Sequence, residues 1–193
     1  MSAFFLAQKS ERMGFIEVSH YLCKSSVAVP IKKRSRSGRE SLPYYDEVKE
    51  ICNLPVSSIA DKNSVLFLWT TFPQLPEAFK VMRIFTHKTV AFVWVKQNRS
   101  GNGFFFGLGY WTRSNAEICL LGVIGHPKRL SKKVHQLIIS PIEQHSNKLD
   151  IAGEKIITLV GDFPRVELFA RQVTPEWDIW GNEVTSSISL ERG

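Results

Sequence analysis

The chain has 193 residues, of which 44% are hydrophobic and 22% charged, with a formal charge of +7 and a pI near 9.4. This composition predicts one globular domain with a sizeable core, and no apolar run is long enough to span a bilayer. The three cysteines, Cys23, Cys52 and Cys119, are odd in number and far apart. They therefore indicate neither a disulfide framework nor a zinc site, and they fit a reducing cytoplasm.

The positive charge favours an anionic partner such as nucleic acid, which binds through its phosphates. Much of the excess lies at Lys32–Arg36 and in a second group, which consists of Lys128, Arg129, Lys132 and Lys133. The alternative is an ordinary solvated basic surface. The start of the chain, MSAFFLAQKSERMGF, is not expected to be a signal peptide, because no basic segment precedes its short apolar patch.

Residues 1–31 show no sustained periodicity, and Arg34–Arg39 is predicted to be a mobile loop. Val48, Ile51 and Cys52 have helical spacing and predict a helix from Tyr45 to Leu54. Further on, continuous apolar runs such as LFLWTT are typical of buried strands, and amphipathic stretches lie between them. The predicted strands are 64–71, 89–96, 117–124, 136–140 and 165–171, and the predicted helices are 73–85 and 147–160. This alternation predicts an α/β fold with a mainly parallel sheet and helices on both faces.

The last predicted strand ends at Arg171, and ligands of open α/β sheets bind at the carboxyl ends of strands. A loop containing Trp177 and Trp180 then brings Asn182 and Glu183 back beside it. The sequence therefore predicts a binding site here. The alternative is an edge strand with a solvated arginine and two core tryptophans.

A glycine-rich loop from Gln97 to Tyr110 contains three consecutive phenylalanines. Such a loop suits a mobile flap that stacks a base, and a hydrophobic loop packed on the sheet is the alternative. The five histidines show no metal-ligand spacing, so no metal is expected. A nucleophile–base motif and a phosphate-binding Walker loop are both absent from the sequence.

Six segments in order, LFLWTT, AFVWVK, GLGYWTRSNAEICLLGVIG, SPIEQHSNKLD, RVELFAR and WGNE, resemble one family over residues 44–184. It is the MTA seventy-kDa family of S-adenosylmethionine-dependent N6-adenine methyltransferases, in particular its phage and bacterial branch. The resemblance implies a single Rossmann-like methyltransferase domain with a permuted motif order. It also implies S-adenosylmethionine as the cofactor.

The resemblance assigns cofactor-binding residues by their place in these motifs. Lys148 matches the family lysine before the last helix, which contacts the cofactor. Arg171 matches the arginine that closes the ELFAR-type strand and binds the cofactor's ribose. Asn182 and Glu183 match the pair that holds the ribose hydroxyls.

Three further residues, Trp111, Arg113 and Glu117, fall in the segment on the side of the target adenine. The implied substrate is adenine in DNA, in preference to RNA. We therefore expect nucleic acid as the partner, no membrane association, and a cytoplasmic location, that of the bacterial host if the gene is a phage gene.

The family's catalytic motif, Asp-Pro-Pro-Trp, is missing. At its expected place stand Lys24, Ser25, Ser26 and Val27, which can neither stack a base nor accept a hydrogen bond from its amine in the family's way. The catalytic residues are therefore unassigned. As written, the chain would be inactive, and a methyltransferase-like module that binds nucleic acid or a partner subunit is the alternative function.

The genetic code suggests a reason for the missing motif. Read one nucleotide out of frame, the codons of Lys24–Val27 can encode Asn or Ser followed by Pro-Pro-Trp. The same shift permits a strand sequence, Lys-Tyr-Arg-Thr-Ile-Tyr-Ala, directly upstream. We hypothesise that residues from about Glu17 to about Ile31 are out of frame, so that residues 1–33 are aberrant. Coincidence through codon degeneracy is the alternative.

Overall fold

A computed structural model describes residues 3–7, 44–109, 111–142, 146–181 and 183–190. The segment of the frame hypothesis, the basic group Lys32–Arg36 and the loop predicted at Arg34–Arg39 lie outside the described residues. None of the helices in the described ranges is long and apolar enough to cross a membrane.

The described residues form seven strands and three α-helices. The strands are β1 (Ala3–Ala7), β2 (Ser64–Thr70), β3 (His87–Gln97), β4 (Ala116–Ile124), β5 (Leu137–Pro141), β6 (Arg165–Leu168) and β7 (Asp178–Trp180). The helices are α1 (Tyr44–Cys52), α2 (Leu75–Val81) and α3 (Ser146–Val160).

The seven strands form one sheet in the order β5-β3-β4-β2-β1-β6-β7. Strands β2, β3, β5, β6 and β7 run in one direction, whereas β1 and β4 run in the other. Hydrogen-bonded pairing is parallel for β3–β5 and β6–β7 and antiparallel for the other neighbours. The sheet is therefore mixed, and the prediction of a mainly parallel sheet is wrong.

The physical reason is that burial does not encode strand direction. A continuous apolar run shows that a strand is covered on both faces, which holds here for all of β2. Strand β4 follows β3 through a loop that turns back beside it, and an antiparallel neighbour needs no crossover helix. Such a pair of apolar strands carries the same sequence pattern as a parallel pair.

Helices α1 and α2 cover one face of the sheet. Residues of both helices line a cavity with Leu66 of β2. Gly122 pairs with Leu66, and a Cβ at Gly122 would lie 2.8 Å from Cε of Met82 and 2.9 Å from Cβ of Phe85. Glycine at this position therefore lets Met82 and Phe85, which follow α2 in the chain, pack directly on the sheet.

Helix α3 lies on the opposite face. Arg165 and Val65 both pair with Leu6, so they lie on the same face of the sheet. Leu66, the next residue after Val65, lies on the face that α1 and α2 cover, so the face of Arg165 and Val65 is the opposite one. The guanidinium of Arg165 lies 5.6 Å from the ring centre of Trp177, and that ring would be 3.3 Å from a Cβ at Gly153 of α3. The arginine and the tryptophan thus link α3 to the start of β6.

The predicted elements agree with the structure except at their ends and in two short strands. Helix α2 is shorter than predicted because short 3-10 turns flank it, and Phe79 of this helix is 48% exposed. Strand β6 ends at Leu168, since Phe169 takes a left-handed conformation with φ 63°. Strands β1 and β7 were not predicted.

The buried strand β2 gives a test of the fold. Phe67 is fully buried and stacks on Phe92 with 6.0 Å between ring centres. We expect Phe67→Ala to lower the free energy of unfolding by about 3–5 kcal/mol, because it removes an aromatic ring from a packed core. Phe79→Ala is the matched control and should cost about 1 kcal/mol or less. Equal losses in urea denaturation would contradict the assigned core.

Candidate functional site

The carboxyl ends of the five co-directed strands meet at one edge of the sheet, here called the carboxyl edge. The residues at these ends are Thr70, Gln97, Pro141, Leu168 and Trp180. Helix α3 begins at the same edge, because it runs back from there to the start of β6. Ligands of α/β sheets collect at such an edge, so the predicted site residues can be placed against it.

Arg171 and Glu183 come together at the carboxyl edge, as the sequence predicted. The Nε of Arg171 lies 3.5 Å from Oε1 of Glu183, and the two side chains are 18% and 53% exposed. The backbone N–H of Ala170 donates to the carbonyl of Trp180 at 3.0 Å and thereby joins the two chain segments. Their position is therefore observed, whereas their role in binding stays a prediction.

A close backbone approach holds this junction. A Cβ at Gly181 would lie 2.4 Å from the carbonyl oxygen of Ala170, so no other residue fits without displacing the chain. The ring of Phe169 meets Trp180 edge to face at 5.3 Å between centres. The glycine and the two aromatic rings thus fix the path of the chain that leads to Glu183.

A second ion pair lies at the same edge, on the predicted substrate side. Nζ of Lys96 is 2.7 Å from Oε1 of Glu117, and both side chains are less than one-fifth exposed. Lys96 also lies 5.0 Å from the ring centre of Trp94, whose Nε1 donates to Oγ of Ser140 at 2.8 Å. Lys96 therefore holds the side chain of Glu117 in a fixed position. Sequence reasoning missed Lys96, because only the pairing of β3 with β4 shows its partner.

The loop between β3 and β4, residues 98–115, forms an arm at this edge. Its base is fixed by backbone bonds: the N–H of Phe105 donates to the carbonyl of Lys96, and the N–H of Lys96 to that of Asn115, both at 2.8 Å. Four apolar side chains of the arm are exposed, namely Phe104 (60%), Phe106 (71%), Leu108 (97%) and Trp111 (90%). The guanidinium of Arg113 lies 4.7 Å from the ring centre of Phe106. The arm thus presents aromatic and cationic groups outward, and these four side chains do not pack on the sheet.

The remaining predicted residues are placed only in part. The backbone of Lys148 lies in the first turn of α3, at the carboxyl edge, and its side chain is not among those described. Asn182 and Tyr110 lie outside the described residues, as do Lys24, Ser25, Ser26 and Val27. Within the described ranges, no group of His, Cys, Asp and Glu side chains could hold a metal ion.

A cavity of about 290 Å³ lies between α1 and the end of the α2 segment, away from the predicted site residues. Cys52 lines it, and burial raises the pKa of the Cys52 thiol, although the nearby positive charge of Arg83 acts in the opposite direction. The guanidinium of Arg83 also donates to the carbonyl of Cys52 at 3.1 Å. Burial therefore disfavours the thiolate, which is the reactive form of a cysteine.

The sequence model of the MT-A70 family matches residues 28–183. The chain is 34% identical over 143 residues to a type II methyltransferase, M.MunI, from a Mycoplasma species, which covers 72% of the chain and 58% of the relative. It is 30% identical over 168 residues to the human N(6)-adenine-specific methyltransferase METTL4, covering 79% and 35%. It is 28% identical over 152 residues to the catalytic subunit METTL3 of human N(6)-adenosine-methyltransferase, covering 74% and 26%.

The fold and the matched range together define an α/β methyltransferase domain. The chain belongs to the MT-A70 family, which confirms the resemblance drawn from the six sequence segments. It spans little more than half of the length of M.MunI and about a quarter of METTL3. The matched range begins at residue 28, so Lys24–Val27 fall before it.

The Lys96–Glu117 pair gives a test of the site's electrostatics. In a double-mutant cycle with Lys96→Met and Glu117→Gln, we expect a coupling free energy of about 1–3 kcal/mol, because each single change leaves a poorly solvated charge without its partner. The matched control is the pair Lys80–Glu77, which is 2.9 Å apart and has Lys80 52% exposed. Its coupling should be about 0.5 kcal/mol or less. Similar coupling for both pairs would show that Glu117 is well solvated.

Proposed function

We propose that this protein is an N6-adenine methyltransferase of phage or bacterial type, which transfers a methyl group from S-adenosylmethionine to adenine in DNA, in preference to RNA. One observation carries the proposal. The Arg171–Glu183 pair, the first turn of α3 and the Lys96–Glu117 pair all lie at the carboxyl edge of one methyltransferase-family sheet. The same proposal includes a Rossmann-like arrangement with a permuted motif order.

The chemistry of the groups at Arg171 fits the proposed cofactor. The carboxylate of Glu183 is half exposed and can accept hydrogen bonds from a ribose diol, and the guanidinium of Arg171 beside it can donate to the ribose. Lys148, at the start of α3, and Asn182, next to Glu183, would complete the cofactor side. Bound there, S-adenosylmethionine would supply a methyl group on a positively charged sulfur.

The substrate side would consist of Trp111, Arg113 and Glu117. The exposed ring of Trp111 suits stacking on a base, and Arg113 carries a charge that suits phosphate. The carboxylate of Glu117, fixed by Lys96, can accept a hydrogen bond from an exocyclic amine. These residues would bind and orient the adenine, and orientation is the main contribution of a protein whose cofactor carries the reactive group.

The missing catalytic motif is the reason to propose a frame difference in the gene. The family match begins at residue 28 and so does not include Lys24–Val27, where the motif is expected. With the frame restored, Asn or Ser followed by Pro-Pro-Trp would stand at these four positions. Under the frame hypothesis, the chain is a single methyltransferase domain that spans residues 1–193, and its residues 1–33 are aberrant.

The second candidate function is a methyltransferase-like module without chemistry, which binds nucleic acid or a partner subunit. The observation in its favour is the sequence as written, which holds no motif able to bind the adenine amine at Lys24–Val27. Both functions share the proposed cofactor side, so cofactor binding alone does not separate them.

Calorimetry tests the cofactor side. We expect Arg171→Ala, Lys148→Ala and Asn182→Ala each to weaken S-adenosylmethionine binding about tenfold or more, because each removes a charge or hydrogen bond to the ligand. Lys49→Ala, an exposed lysine on α1, is the control and should bind like the unchanged protein. Unchanged affinity in all three site variants would refute the assignment.

Resequencing the gene across the codons from Glu17 to Arg34 tests the frame hypothesis. We expect a corrected frame that encodes Asn or Ser followed by Pro-Pro-Trp, because the out-of-frame codons permit both the motif and the strand before it. Labelled methyl transfer to adenine-containing oligonucleotides, with adenine-free oligonucleotides as the control, should then be detected with the protein encoded by the corrected gene. A confirmed sequence as written, together with cofactor binding but no transfer, would favour the second candidate.

A further inference from the structure

The loop that joins β4 to β5, residues 125–136, is here called the basic loop. Its four lysine and arginine side chains are exposed, and they are Lys128, Arg129, Lys132 and Lys133. No aspartate or glutamate occurs between residues 125 and 142. The loop is therefore a concentrated positive surface.

The backbone of the basic loop is held by the rest of the fold. The N–H of Leu130 donates to the carbonyl of Leu159 at 2.8 Å, and the N–H of His126 donates to Oδ1 of Asn63 at 2.9 Å. Nζ of Lys155 donates to the carbonyl of His135 at 3.1 Å and adds a further positive charge. The backbone that carries the cations is thus held in place, which reduces the entropy that the loop loses when it binds an extended anion.

The basic loop lies at the edge of the sheet opposite to the carboxyl edge. It follows Ile124, which pairs with Ser64 at the amino end of β2, and it contacts the last turn of α3. A strand of seven residues, such as β2, spans about 23 Å at roughly 3.3 Å per residue. The basic loop is therefore separated from Arg171 and Glu117 by the full height of the sheet.

We propose that the basic loop, together with Lys155, binds the phosphate backbone of duplex DNA away from the target base. Duplex DNA carries about one negative charge per 1.7 Å of its axis, and phosphate contacts to lysine and arginine do not depend on base sequence. The separation from the carboxyl edge equals roughly seven base pairs at about 3.4 Å each. The inference rests on the proposed function in one respect, which is the choice of DNA in preference to RNA.

Two other roles for these cations make different predictions. Lysine and arginine near a helix C-terminus stabilise the helix, and the carbonyl of Leu159, near the end of α3, accepts from the basic loop. A basic surface that includes an exposed leucine, such as Leu130, also suits an anionic lipid surface. The first role would appear in thermal stability and the second in vesicle binding.

The test is the salt dependence of binding to fluorescent duplexes by anisotropy, between about 50 and 200 mM salt. We expect K132Q/K133Q to weaken binding and to lower the slope of log affinity against log salt concentration by about 2, because each neutralised phosphate contact contributes about 1. K132R/K133R should retain the slope. The matched control K49Q/K80Q removes the same charge from α1 and α2 and should leave the slope unchanged.

A duplex of G·C pairs only and one that contains adenine should show the same loss. Binding to the G·C duplex requires neither adenine nor cofactor, so a failure of methyl transfer leaves this result intact. An unchanged slope in K132Q/K133Q, or an equal loss in the control, would overturn the proposal. So would a lower melting temperature with unchanged DNA binding, binding to phosphatidylserine vesicles but not to DNA, or tighter binding to single-stranded RNA than to duplex DNA.

Discussion

The hydrogen bonding of β2 on both sides is the constraint on which the rest of the described structure depends. All seven residues of this strand are buried, including Ser64 and Thr70 at its ends. Its backbone groups can be satisfied only by β1 on one side and β4 on the other. Because both neighbours run antiparallel to β2, the strands beyond them, β3 and β6, return to its direction. The carboxyl edge follows from this pattern.

The two halves of the candidate site lie on opposite sides of β2. The Arg171–Glu183 pair follows β6, and the Lys96–Glu117 pair joins β3 to β4. Each half is fixed by contacts that do not involve the other, namely the approach of Gly181 to Ala170 and the short pairing of Lys96 with Glu117. A ligand that bridges the two halves must therefore cross the end of β2, where Thr70 lies.

The sequence predicts much of this fold because its longer elements are strongly patterned. Strands β2, β3 and β4 are long apolar runs, and α3 has a buried stripe that includes Ala152 and Ile156 and stops at Gly161, which has φ 110°. Strand β7 has only three residues, too few for a periodicity to develop. Strand β1 lies in residues 1–31, where the sequence shows no sustained periodicity. Strand direction is not encoded by burial. Arg171 and Glu183 could be placed together because the motif order and the carboxyl-end rule agree.

The direction of β1 bears on the missing catalytic motif. Strand β1 lies between β2 and β6 but runs against both, so Ala3 lies at the carboxyl edge and Ala7 at the opposite edge. The carboxyl end of β1 therefore lies on the side of the sheet away from Arg171 and Glu117. A strand in this position that ran with β2 would deliver the residues after it to the carboxyl edge, between the two halves of the site. The shifted frame permits a strand that is followed directly by the motif. If that strand took this position and ran with β2, the motif would lie at the carboxyl edge.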